Sequence, residues 1–245
     1  MHNRQSLAWQ HDQHETHMFR IKICGITNSA DALAAVDAGA DAIGLNFYTG
    51  SKRCVSFVDA RQIAVAVGNR CLKVGVFVNQ SAEQLNDITE TVGLDAVQLH
   101  GDQPPAYLLD VETRYRIVKV FRVGGSGFVK MKADLVMCEK FGRVPQAVLV
   151  DAEAPGEYGG TGKRLDWASL ADRAELLNFD RAVPFRLILA GGLTPENVAE
   201  AIRIVRPFGV DVASGVEAAP GHKDAEMVKT FVAEARRGFA EIRCE

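Results

Sequence analysis

Eight short apolar runs, each followed by a helical pattern, constrain this chain more than any other feature. The runs fall at 20–23 (RIKI), 42–45 (AIGL), 72–78 (LKVGVFV), 96–99 (AVQL), 116–123 (RIVKVFRV), 147–150 (AVLV), 186–190 (RLILA) and 209–214 (GVDVAS). They are rich in Val, Ile and Leu, as strands buried on both faces of a parallel sheet are. Helical patterns fill 29–38, 57–68, 81–92, 103–113, 127–140, 167–177, 195–206 and 222–238. Ser81 is placed as an N-cap, and Thr194-Pro195-Glu196 puts a proline at the first helical position. Gly39 and Gly93 end two helices ahead of the next strand.

Strand then helix, eight times over, predicts the α/β class and a closed, single-domain (β/α)8 TIM barrel; 245 residues suit the roughly 250 typical of that architecture. The rival is an open, doubly wound sheet. It usually carries a glycine fingerprint after its first strand, whereas here only Gly25 follows. No Pro-, Gly- or Ser-rich linker divides the chain, so the barrel is expected to run over 19–245. Residues 1–18, MHNRQSLAWQHDQHETHM, form a polar extension expected to be disordered. It holds four of the six histidines, which make either a metal-binding tail or a plain start-site extension, the commoner case.

Composition narrows the partners. A chain with 47% hydrophobic residues can bury a core without staples. A net charge of −3 with no dense basic run argues against nucleic acid and anionic membrane. No segment has the 18 or so apolar residues of a membrane span. Five scattered cysteines with no CxxC pair argue against a disulfide framework or a zinc site, and fit a reducing, cytoplasmic setting.

In such a barrel, chemistry sits at the carboxyl ends of the strands. That rule shortlists Cys24, Asn46 and the following loop with Arg53, Asn79, Gln98-Leu99-His100, Arg122, Asp151, Gly191-Gly192 and Ser214-Gly215. Loops after the seventh and eighth strands often bind phosphate, because glycines let backbone N–H groups approach an anion. The GGTGK loop, with Gly160 and Gly162, can fold over a ligand; ordinary turns are the alternative for all three. Cys24 stands at a strand mouth. A thiol titrates near 8.5 when unperturbed, so a modest shift would make it a base near neutrality. Asp151 closes the sixth strand, across the mouth, as a candidate acid; capping a following helix is its other reading. A base and an acid flanking one ligand suit moving a proton from carbon to oxygen, an aldose–ketose isomerisation. Arg53 is either a bidentate clamp on a carboxylate or a solvated surface charge, and position alone does not decide.

The motifs KICGIT (22–27), SKRCVS (51–56), VGVFVN (74–79), VQLHGD (97–102), VLVDA (148–152), GGTGKRLDW (159–167), LAGGLTPENV (189–198) and DVASGVE (211–217), taken in order, resemble the phosphoribosylanthranilate isomerase family from about Phe19 to Arg237. The resemblance implies an Amadori rearrangement in tryptophan biosynthesis on a small-molecule phosphosugar, with no metal or organic cofactor, by a monomer or homodimer. It implies Cys24 as general base, Asp151 as general acid and Arg53 on the anthranilate carboxylate. It also implies Gly191, Gly192, Ser214 and Gly215 on phosphate, with Gly160 and Gly162 in the covering loop. His100 falls at the family's QLHG histidine, near the site or simply hydrogen-bonded in the structure. Lys52 stands where the family often has proline, the segment 178–185 looks longer than usual, and 1–18 has no match. Two rivals remain. The related histidine-pathway isomerase uses aspartates at both strand ends, against which Cys24 speaks. A non-catalytic phosphosugar-binding barrel would lack the acid or the base.

Overall fold

The expected alternation closes on itself. In a computed structural model that describes residues 18–123, 127–152, 166–174 and 185–242, eight parallel strands form one barrel in chain order. They are β1 (Ile21–Cys24), β2 (Ala42–Asn46), β3 (Leu72–Phe77), β4 (Ala96–Leu99), β5 (Arg116–Val123), β6 (Ala147–Ala152), β7 (Arg186–Leu189) and β8 (Gly209–Val212). Closure is made by β8 on β1, with Ile21 opposite Val210, Lys22 opposite Asp211 and Ile23 opposite Val212. Around the strands lie α1 (Ser29–Ala38), α2 (Phe57–Val67), α3 (Ala82–Val92), α4 (Gly127–Lys140), α5 (Trp167–Ala174), α6 (Val198–Val205) and α7 (Ala225–Glu241). A small hairpin, β9 (Glu217–Ala219) with β10 (His222–Lys223), separates β8 from α7.

Alternation along each strand divides the core in two. Ile21, Ile23, Ile43, Leu45, Val97, Leu99, Val148, Val150, Leu187 and Leu189 face outward and pack with helix residues such as Ala32, Ile63, Leu85, Ile202 and Phe231. The intervening positions, Ala42, Val74, Ala96, Val118, Ala147, Leu149 and Ile188, fill the interior with Met18 and Phe19. Met18, assigned to the extension on sequence, is buried at 6% exposure, so packed chain begins at least one residue before Phe19. The remainder of 1–18 lies outside the described residues, as do Gly160, Gly162 and most of 178–185.

Helix ends follow local chemistry. Ser81 caps α3 in a full capping box with Gln84, and Gly39 and Gly93 take left-handed conformations at the ends of α1 and α3. Three expectations shift. The helix at 103–113 is a 3-10 segment at Pro105–Leu109, since Pro104 and Pro105 supply no N–H and fix their own φ. Pro195 opens a turn, not α6. Asn197 Oδ1 accepts from Thr194 N at 2.8 Å and its Nδ2 donates to Gly192 O at 2.9 Å, so the helix starts at Val198. Residues 222–224 are not helical. Lys223 pairs in the hairpin, and Asp224 caps α7 by accepting from Glu226 N and Met227 N. No described helix is long and apolar enough to cross a membrane.

Candidate active site

At the carboxyl ends of the strands an open cleft is lined by Cys24, Asn46, Arg53, His100, Asp151, Gly191, Gly192, Ser214 and Gly215. Every described residue proposed for the site from sequence therefore faces one cavity. Of the wider strand-end shortlist, Asn79 and Arg122 lie elsewhere: Asn79 Oδ1 accepts from Asp102 N at 2.7 Å, and Arg122 pairs with Asp102 at 2.6 Å.

Strand parity puts the reacting candidates inside. Cys24 ends β1, two residues beyond Lys22, so both point into the barrel. Opposite Cys24 in β2 is Gly44. A Cβ there would stand 2.7 Å from Cys24 Sγ and 3.0 Å from Lys22 Cε. The glycine leaves the space those two side chains share. Lys22 Nζ donates to Asp211 Oδ1 at 2.9 Å, with the lysine side chain wholly buried. Burial pushes the Cys24 thiol above its ordinary value, and the Lys22 ammonium opposes that rise without cancelling it. The shift toward neutrality expected on sequence is thus reversed, because loss of water costs the thiolate more than the neighbouring cation returns.

Asp151 lies within β6, opposite Arg122 of β5, and reaches the cleft across from β1. His100 Nε2 is 3.7 Å from Asp151 Oδ2, both side chains being 11% exposed. On its other edge His100 Nδ1 is 3.0 Å from Gln98 Nε2. Burial, then the Lys22 and Arg122 charges, pulls the His100 pKa down to about 3, so the ring is neutral at physiological pH.

Arg53 is neither solvated nor unattached. The loop after β2 folds back so that Asn46 and Cys54 form a parallel bridge. Arg53 N then donates to Ser51 Oγ at 3.1 Å. The arginine stem crosses Gly25, whose φ of +76° and missing Cβ permit the contact; a Cβ would meet Arg53 Cδ at 2.5 Å. The guanidinium grips Glu217 with both Nε (2.8 Å) and Nη2 (2.7 Å). Lys223 Nζ donates to the same carboxylate at 2.8 Å and to Ala213 O at 2.9 Å. Burial alone would raise the Glu217 pKa, but the hydrogen bonds from Arg53 and Lys223 outweigh it and hold the carboxylate below its usual range. The Nη1 edge of Arg53 is left for another acceptor.

On the third side, Gly191 and Gly192 both have positive φ, at 84° and 66°. Gly215 follows Ser214 in a one-turn 3-10 segment, Ser214–Val216. A Cβ on Gly215 would overlap the Leu193 carbonyl, so the loops after β7 and β8 touch there.

Sequence reasoning shortlisted Gln98 beside His100 but passed over Lys22, Asp211, Glu217 and Lys223. Two of these carried a signal: Lys22 and Asp211, like Gln98, are polar residues at inward parity inside otherwise apolar strands. Glu217 and Lys223 lie in an irregular hairpin whose pairing with Arg53 no spacing foretells.

The family model described as PRAI, N-(5'phosphoribosyl)anthranilate (PRA) isomerase, matches residues 21–234. The N-(5'-phosphoribosyl)anthranilate isomerase of Thermotoga petrophila is 42% identical over 219 residues, covering 89% of this chain and 99% of that protein. The crystal structure of phosphoribosyl anthranilate isomerase from Thermotoga maritima superposes with a TM-score of 0.76 at 41% identity, covering 90% of this chain and all (100%) of that one. A structure of such an isomerase in complex with reduced 1-(o-carboxyphenylamino)-1-deoxyribulose 5-phosphate aligns with a TM-score of 0.74 at 40% identity, covering 90% and 100% of the two chains.

Proposed function

The chain belongs to the N-(5'-phosphoribosyl)anthranilate isomerase family, whose reaction converts an aldose to a ketose in tryptophan biosynthesis, and from that premise we propose how its residues divide the work. The substrate N-(5-phosphoribosyl)anthranilate spans the cleft. Its phosphate rests on the loops at Gly191-Gly192 and Ser214-Gly215, where glycines admit close backbone approach. Its carboxylate meets the Nη1 edge of Arg53, whose other edge is fixed by Glu217.

Asp151 gives its proton to the furanose ring oxygen as the C1′–O bond breaks, and the anthranilate nitrogen's lone pair forms the Schiff base. Cys24, as thiolate, then takes the proton from C2′. The C2′–H electron pair moves into the C1′–C2′ bond, and the iminium electrons return to nitrogen. The resulting enol-amine tautomerises to 1-(2-carboxyphenylamino)-1-deoxyribulose 5-phosphate. His100, neutral, stands beside Asp151 and transfers no proton. The observation that carries this reading is that Cys24 of β1 and Asp151 of β6 line the same cleft from different sides. A ligand anchored at both ends is held with its reacting carbons between them.

The test is the loss of fluorescence of phosphoribosylanthranilate generated in situ. Cys24→Ala and Asp151→Ala proteins are each expected to lose roughly 10²- to 10⁴-fold in kcat, the usual worth of a positioned acid or base, while still binding the reduced product analogue. A Cys24→Ala protein with full turnover would remove the base from this scheme.

A further inference from the structure

We propose that Lys22, anchored by Asp211, is the positioning residue that sets how readily Cys24 ionises, its ammonium lying beneath the thiol as the counter-charge a thiolate needs in a water-poor barrel. The inference rests on the reading of Cys24 as base. Three independent placements support it. Lys22 is the inward residue directly below Cys24 on β1. Asp211 is its register partner across the barrel seam, bonded at 2.9 Å. Sγ and the terminal carbon of Lys22 share the space left over Gly44.

A buried lysine–aspartate pair is a poor stabilising device, since apolar residues of similar size usually do as well. Its presence in an interior that is otherwise mostly apolar calls for another role. The charges around the thiol supply one. Lys22 of β1, Arg53 after β2 and Lys223 of β10 are cations; Asp211 of β8 and Glu217 of β9 are anions. His100, just after β4, is neutral, and Asp151 of β6 starts protonated in the proposed reaction. Arg53 and Lys223 both bind Glu217. Among these described groups the cations then outnumber the anions by one while Cys24 is a thiol, and a thiolate restores balance. Asp211 accepts only one of the three ammonium protons, which leaves Lys22 a donor for sulfur. The ammonium is also the largest influence opposing the upward push of burial on the thiol.

The experiment follows the thiolate apart from turnover. Alkylation of Cys24 by iodoacetamide, measured on the Cys24 peptide by mass spectrometry across pH, reports the ionised fraction. Lys22→Met is expected to move the alkylation midpoint, and with it the ascending limb of kcat/KM, upward by at least about one pH unit, a tenfold or greater loss below the limb. KM for the substrate should stay nearly constant. Because Lys22→Met strands a buried carboxylate beside the thiol, the double variant Lys22→Met/Asp211→Asn separates the two effects, with thermal unfolding showing that each protein is folded. A shift that persists in the double variant belongs to the lysine. A double variant whose Cys24 titrates as in the unaltered protein would overturn the inference, and would leave the base assignment to stand or fall on Cys24→Ala. An alkylation midpoint that moves while the pH–rate limb stays put would uphold the lysine's hold on the thiol and remove Cys24 as the base.

Discussion

Glu217 decides what Arg53 can do. An unpaired arginine on a loop would sweep many rotamers, and binding would have to freeze them. Here two N–H···O bonds to one carboxylate fix the guanidinium plane before any ligand arrives. Glu217→Gln keeps the shape but leaves one acceptor oxygen where there were two, so one Arg53 N–H faces an amide NH2; a hydrogen bond to a charged group is worth roughly 1.5–3 kcal/mol. The expected outcome in steady-state kinetics is a KM raised roughly tenfold or more with kcat changed little, because a clamp on a non-reacting end contributes mainly to binding. A collapse of kcat at unchanged KM would mean that Arg53 acts at the reacting centre instead. Cys24 and Asp151 were legible from their places at strand ends. The engagement of Arg53 was not, since its partner lies in a hairpin 164 residues away in sequence.

Elements deliver these residues to one mouth, and the glycines between them are where delivery is tightest. The loops after β7 and β8 meet at Gly215, where a Cβ would overlap the Leu193 carbonyl. Gly215→Ala must push the two loops apart, and because the obstacle is backbone it cannot yield by a rotamer change. Weaker binding of the phosphate-bearing substrate, read as a raised KM, is the expected result; an unchanged KM would take these loops out of the phosphate site. At Ser81, which opens α3 after β3 without lining the cleft, the consequence is purely structural. Ser81→Ala removes the cap of α3 and with it half of a reciprocal capping box. Chemical denaturation should show a loss of about 1 kcal/mol with kcat intact. Helix caps such as Ser81 are readable in sequence because the bond is local. The 3-10 turn at Pro105–Leu109 and the late start of α6 were misread because an apolar helical period does not register prolines and asparagine side chains that satisfy the backbone differently.

For the molecule as a whole, burying charge around the cleft sets a dependence of stability on pH. His100 is neutral when folded, with a pKa of about 3, against about 6.5 when unfolded. As pH falls below the unfolded value, the unfolded chain takes up a proton that the folded one refuses, so stability is complete above about pH 6.5 and is lost as pH drops toward the folded value. Between pH 7 and pH 5 the cost is about 2 kcal/mol from this group. His100→Asn should flatten that slope in denaturation experiments at the two pH values; an unchanged slope would show that another group controls it. The amino-acid sequence by itself determined the order of the eight barrel strands and of most helices between them, the closure of those strands into a barrel, and the strand ends where chemistry gathers. Those follow from periodicity and chain order, which are local or repeated properties. Tertiary structure alone decided that Lys22 and Asp211 face each other across the β1–β8 seam and that Glu217 and Lys223 close around Arg53. It also decided that Cys24 is pushed away from neutrality and not toward it. Each of these depends on which groups share a low-dielectric space, and that is fixed only when the first and last strands join.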